Sequence, residues 1–526
     1  MNIKACRTLI LASGLLLAAG ACTDLTTEPK SSVSGGTVFS DPSSYRAFLA
    51  KLYAGLSVTG QQGPDGSADI SGIDEGFSQY LRQYWSLQEL PTDEAIIGWG
   101  DPGLPEMNRQ GWTASNPFVA ALYYRIFFQV ALANEFMRET ADDRMAERGA
   151  SAELRTQVAG YRAEARFLRA LSYWHAADLF GNVPLVTETN RSGAEPPAQA
   201  TRQAIFSFVE SELQAILPQL PAVGQAEYGR ADQGAAQMLL AKLYLNSQVY
   251  TGQARYAEAR TAAEAVIGSG AYQLDANYQH LFMADNHTSP EIIFPITFDG
   301  AHTRTWGGMT FLAHAAVGGD MNAGSYGLDG GWWGLRLKPE AYNFYPSSGA
   351  DRRSSYFVMQ KSVGISDVGD FFQGVAAPKF RNVKSTGGAG AHPTFPDTDF
   401  PMFRLADAYL IYAEAVVRGA GGSRATALGY INQLRARAYG NASGNITDAQ
   451  MTLDFILAER GRELLWEAHR RTDLVRFGRF TGGAYVWSFK GGPPAGTATA
   501  AHLDLYPIPA AELSANPNLK QNPGYN

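Results

Sequence analysis

Two stretches of this 526-residue chain place aromatic rings and hydrogen-bonding side chains among glycines. PTDEAIIGWGDPGLPEMNRQGW (91–112) holds Asp93, Glu94, Trp99, Asp101, Asn108 and Trp112. TWGGMTFLAHAAVGGDMNAGSYGLDGGWWGLR (305–336) holds Trp306, Asn322, Tyr326, Trp332 and Trp333. A sugar ring presents flat C–H faces that stack on such rings, and its hydroxyls need carboxylate, amide or guanidinium partners. Glycine flanks strengthen this reading, because a ring beside residues without side chains has less to pack against. Tryptophan is also an ordinary core residue. Trp85, Trp174 and Trp466 fall in helical patterns and are assigned to the core. Ligand contact is expected of Trp99, Asp93, Asn108, Trp306, Asn322, Tyr326, Trp332 and Trp333.

Acid–base and metal chemistry have less support. Asp93 and Glu94 could be the two carboxylates of a secreted glycosidase, but sequence neighbours usually point apart, whereas such acids face each other across roughly 5 to 9 Å. Glu459, Glu463 and Glu467 recur at i, i+4 and i+8, which could mark an acid/base or metal face on one helix. Arg460, Arg462, Arg470 and Arg471 interleave with them, His469 and Asp473 lie alongside, and this mixture predicts a structural ion-pair network. The 8 histidines form no metal-ligand spacing, and the 2 cysteines, Cys6 and Cys22, are not a zinc pair. No phosphate-loop or dinucleotide fingerprint is present. No catalytic residue, metal or cofactor is therefore expected.

The elements that must carry these loops are helical. Asn116 is placed to cap a helix with Pro117 at its first position, and Phe118, Leu122, Ile126, Gln129, Ala133 and Phe136 follow at helical spacing. Residues 161–180 carry a second stripe that stops at Gly181, with Pro184 beyond. Residues 235–267 resemble a degenerate tetratricopeptide pair, with Leu240, Ala241 and Tyr244 in one helix and Tyr256, Ala259, Ala263 and Val266 in the next. An ordinary helix pair remains the alternative. A second pair is predicted over 403–437. Residues 285–402 break the pattern, with one strand predicted at Glu291–Thr297 and otherwise glycines, aromatics and turns, the kind of long connection that usually carries function. The fold class is mainly α: paired helices as scaffold, with long irregular loops and a few short strands.

The N-terminus reads as an export leader. Lys4 and Arg7 precede an apolar run, Leu9 to Ala19, whose eleven residues reach only about 16 Å as a helix, roughly half a bilayer core. Ala19, Gly20 and Ala21 then precede Cys22, as lipoprotein processing requires. Residues 1–21 are assigned as leader, Cys22 as the lipidated residue, 22–40 as tether and 41–526 as one domain. With 43 Lys+Arg against 50 Asp+Glu, the chain lacks the basic surface that a nucleic-acid partner would need.

Four segments carry a resemblance over nearly the whole chain. ILAERGRELLWEAHRRTDLVRFGRF (456–480), LYPIPAAELSANPNLKQNPGYN (505–526), FLRALSYWHAADLFGNVPL (167–185) and FRLADAYLIYAEAVVR (403–418) resemble, in order, the SusD/RagB family of nutrient-binding outer-membrane lipoproteins. The TDE of 92–94 followed by Trp99 resembles the segment bordering that family's ligand site. The resemblance implies a cell-surface protein, lipid-anchored in the outer membrane, that captures a glycan without catalysis. It also implies a partner: a SusC-like TonB-dependent transporter that receives the ligand. An oligopeptide ligand is the alternative within the family.

Overall fold

The protein is described from a computed structural model covering residues 38–39, 41–64, 66–190 and 195–525. The leader, Cys22 and all but two residues of the tether lie outside the described residues. The helices are α1 (Ser43–Ser57), α2 (Tyr80–Glu89), α3 (Leu104–Arg109), α4 (Pro117–Glu139), α5 (Asp142–Glu147), α6 (Ala152–Phe180), α7 (Arg202–Ile216), α8 (Gln233–Leu245) and α9 (Ser247–Thr251). They continue as α10 (Tyr256–Gly268), α11 (Gly308–Ala315), α12 (Pro339–Tyr342), α13 (Leu405–Val417), α14 (Arg424–Tyr439), α15 (Leu453–Glu463), α16 (Arg470–Arg476) and α17 (Ala510–Ala515). Strands are short: β1 (Ala95–Ile97), β2 (Val183–Pro184), β3 (Gln199–Ala200), β4 (Ile292–Ile296), β5 (Leu335–Leu337), β6 (Val358–Met359), β7 (Val375–Ala376) and β8 (Phe400–Arg404). The fold is mainly α, as expected.

Local chemistry starts and stops the long helices. The Asn116 side chain accepts the backbone N–H groups of Phe118 and Val119, so α4 begins where the cap and Pro117 predict. Ser151 caps α6, and Gly181, at φ 73°, ends it. That helix starts nine residues before the predicted stripe, because its first turns are largely exposed and carry no apolar pattern. Pairs then stack: α4 on α6, α6 on α7, α8 on α10, α10 on α13 and α13 on α14. Buried alanines at the contacts, among them Ala235, Ala241, Ala259, Ala263, Ala408 and Ala413, permit close approach. The long connection inside the 235–267 pair contains α9. Tyr45–Asn526 form one compact unit.

Three features depart from the sequence reading. Residues 403 and 404 close strand β8, whose antiparallel partner is the predicted strand, observed as β4. Helix α11, GMTFLAHA, lies in the region expected to be irregular; it is buried throughout, so no polar face marks its period. The 456–480 segment is two helices, broken where Trp466 and Ala468 each take φ 61°. Among the described residues no helix is long and apolar enough to cross a membrane.

The carboxylates around α15 form the predicted ion-pair network, wholly inside the protein. Arg353 binds Asp351, Glu459 and Glu463 at 2.6, 2.9 and 2.9 Å. Arg404 binds Glu291, Glu463 and Glu467 at 2.8, 2.8 and 2.6 Å, and Lys379 also binds Glu467. Arg460 bridges Asp407 and Asp473, and Arg476 bridges Asp473 and Glu414. Burial alone would raise the pKa of Glu459, but Arg353, Arg462 and Arg435 hold it at about 2.

Candidate functional site

Strand β1 sets the first ring. It pairs antiparallel with β5 in a four-stranded sheet of order β1-β5-β7-β6. On its other side the Asn108 amide imitates a neighbouring strand, accepting the Ile97 N–H at 3.1 Å and donating to the Ile97 carbonyl at 2.7 Å. Trp99 follows two residues later, with its indole N–H donated to the Trp333 carbonyl at 2.6 Å. Both ends of the segment are thereby fixed.

Three half-buried indoles form a continuous arc. The Trp332 ring lies 6.5 Å from that of Trp99 and 6.3 Å from that of Trp306, with Phe395 a further 5.1 Å beyond Trp306. His314, on α11, stacks on Trp332 at 4.8 Å and 22°. Its ring nitrogens lie 2.7 and 2.8 Å from the carbonyls of Gly330 and Thr394, so the platform behind Trp332 is itself anchored. Beside Trp99, the Arg82 guanidinium sits 4.4 Å over the Phe311 ring and 5.9 Å from the Trp99 ring. Burial lowers the pKa of Arg82 to about 10, against the pull of Asp101 and Asp74.

The arc uses only part of the expected residue set. Trp332 and Trp333 point apart, with Trp333 at φ 53° and Gly334 at φ 115°. Trp333 turns inward, only 9% exposed, donating to the Phe371 carbonyl at 2.6 Å and covering Gly318 and Gly319, where added side chains would collide with its ring. Asp93 is fully buried, its carboxylate taken by Arg470 at 2.7 and 2.6 Å and by the Tyr485 hydroxyl at 2.7 Å. Asn108 is buried and spent on β1, and Trp112 donates to the Tyr525 hydroxyl at 2.8 Å. Asp93 and Trp333 therefore support the site from within, and the expectation that they touch ligand is corrected, whereas Asn108, 3% exposed, stands in the wall of a cleft beside Trp99. Tyr326 and Asn322 sit on a separate turn, where Asn322 accepts the Gly324 N–H. Among the described residues no ring contact joins Tyr326 to the arc.

The carboxylate alternative also loses its geometry. Glu94 is buried next to Asp93 and accepts the Trp466 backbone N–H at 3.1 Å. Burial raises its pKa to about 8, with Asp93 adding to the rise and Arg470 opposing it. Both acids are at most 1% exposed, so neither is open to a substrate. Sequence reasoning missed Arg82, His314 and Phe395. Arg82 lies inside α2, every residue of which is buried, and that burial is visible only in the structure. Among the described residues no cluster of three or more metal-ligating side chains exists.

Comparison with known proteins agrees with this architecture. A model of the SusD family matches residues 342–525. The starch-binding protein SusD of Bacteroides thetaiotaomicron is 34% identical, over 98% of this chain and 97% of that one. Among solved structures, a SusD homolog from Bacteroides thetaiotaomicron superposes with a TM-score of 0.74 at 20% identity, over 95% of this chain and 99% of that one. Surface glycan-binding protein A from Bacteroides fluxus gives 0.69 at 22%, over 92% and 99%. Identity at the level of the starch-binding relative, across nearly the full length of both chains, means that this chain belongs to the SusD family.

Proposed function

We propose that the protein captures a glycan on the arc of Trp99, Trp332 and Trp306 and passes it unaltered to a SusC-like TonB-dependent outer-membrane transporter. One observation carries this reading: the half-buried Trp99, Trp332 and Trp306 rings follow one another at 6.5 and 6.3 Å, with Trp99 held by its indole N–H and Trp332 backed by the His314 ring. Such a curved, rigid apolar surface suits the successive C–H faces of a chain of sugar rings, and pre-organisation spares the ligand the cost of ordering it. The starch-binding relative makes an α-glucan the first candidate. Lipid on Cys22 would tether the domain to the outer membrane, where each buried methylene of an acyl chain contributes about 0.8 kcal/mol of attachment. Residues 41–526 act in this reading as one domain, and Tyr326 and Asn322 lie at most on its margin.

Calorimetric titration with maltoheptaose tests the capture step. Binding by the intact protein and its loss in Trp332→Ala are expected. Undiminished binding in that variant would move the site elsewhere. Purification from the native membrane tests the hand-over: a co-purifying barrel transporter is expected, and its consistent absence would remove the partner.

A further inference from the structure

A cleft of about 530 Å³ opens against Trp99, lined by Gly100, Arg109, Ser366, Asp367 and Phe489 among others. That volume lies within the roughly 300–1,000 Å³ of small-ligand sites. One wall is the loop 366–373, and it is held with unusual care. Arg336, 1% exposed, donates to the carbonyls of Val368, Asp370 and Gln373 at 2.6, 2.8 and 2.8 Å. The Gln373 side chain in turn accepts the backbone N–H groups of Ser366 and Asp367, closing the loop on itself. A buried guanidinium spent on loop carbonyls gives that wall one shape before any ligand arrives.

The opposite side is kept clear. A side chain at Gly100 would project into open space, so its absence leaves room beside the Trp99 ring. At the mouth stand two exposed groups of opposite character, Arg109 and Asp367, and neither belongs to an ion pair among the described residues. Asp367 gives one oxygen to the Gly369 N–H at 2.8 Å. A donor and an acceptor lining a cleft that begins at a stacking ring are what a run of hydroxyls requires.

We propose that this cleft is a second compartment of the glycan site, receiving the sugar units that run past Trp99, with Arg109 and Asp367 hydrogen-bonding their hydroxyls. The inference rests on the arc being a glucan site. Its consequence is a preference for extended chains over short ones.

Maltotriose and maltoheptaose, titrated into the full chain, test it. A longer oligomer gains about fivefold merely by offering more registers. The wild-type protein is expected to gain about twentyfold or more. Both Arg109→Ala/Asp367→Ala and Gly100→Leu, the second filling the cleft, should reduce the ratio to the statistical value. Retention of the wild-type ratio in both variants would overturn the compartment. So would a wild-type gain of fivefold or less, with the arc reading left standing. Failure of both oligosaccharides to bind the wild-type protein would overturn both readings.

Discussion

The region around α15 and α16 and the region around Trp332 invert the usual arrangement of charge and apolar surface. In the first, arginines and carboxylates are sealed away from water, with Arg353, Arg404, Glu459 and Glu463 all at 1% exposure or less. In the second, indoles are left half open to solvent. Isolated buried charges are strongly destabilising, and each ion here is tolerated because its partners surround it on several sides. Of the indoles, Trp99 is held by its N–H edge and Trp332 by His314 stacked on one face, and each stays only half buried. The first region fixes the fold's geometry, and the second uses that geometry.

The largest effect should come from breaking the ionic region. Arg404→Met leaves Glu291, Glu463 and Glu467 without their shared cation, and a loss of about 3–5 kcal/mol in urea unfolding is expected. An unchanged midpoint would show that the network contributes nothing to stability. Trp332→Ala should do the reverse, weakening maltoheptaose binding by at least tenfold, or about 1.4 kcal/mol, while the melting temperature moves little. A large drop in stability without a specific binding loss would make Trp332 a core residue after all.

The two signs of pKa shift sharpen the contrast further. Glu459 and Glu414 are depressed to about 2 because Arg353 and Arg476, with neighbouring arginines, overcome the effect of burial. Their folded pKa lies below the unfolded value of 4.5, so their stabilisation is complete above pH 4.5 and is lost as the pH falls toward 2. Glu94 is raised to about 8 by burial, so its protonated form favours the folded state, and that contribution fades as the pH rises from 4.5 through 8. Glu94→Gln should therefore flatten the fall in unfolding free energy between pH 5 and pH 8. An identical slope in variant and wild type would remove Glu94 as its source. The smallest effect belongs to the scaffold between the two regions. Asn116→Ala removes the α4 cap and should cost about 1 kcal/mol of stability with binding unaffected.

Much of the scaffold was legible because helices announce themselves through caps, stripes and terminators. Asn116, Pro117 and Gly181 each did what their chemistry predicts. Helix α11 was not legible, because an element buried on all sides has no periodicity to read. The site was legible by residue type and not by orientation. Trp332 and Trp333 are adjacent and chemically identical, and the fold leaves one half open and buries the other. Likewise, Asp93 has the chemistry of a ligand contact, but Arg470, 377 positions away, claims its carboxylate.

The bond from the Trp99 indole to the Trp333 carbonyl joins positions 234 apart in sequence. A contact of that span needs the chain made as far as Trp333 and its two ends brought together, so the arc is a product of tertiary assembly and of no local segment. A half-made or truncated chain therefore presents scattered indoles instead of a graspable surface. Ligand affinity then doubles as a readout of whether the molecule has been completed.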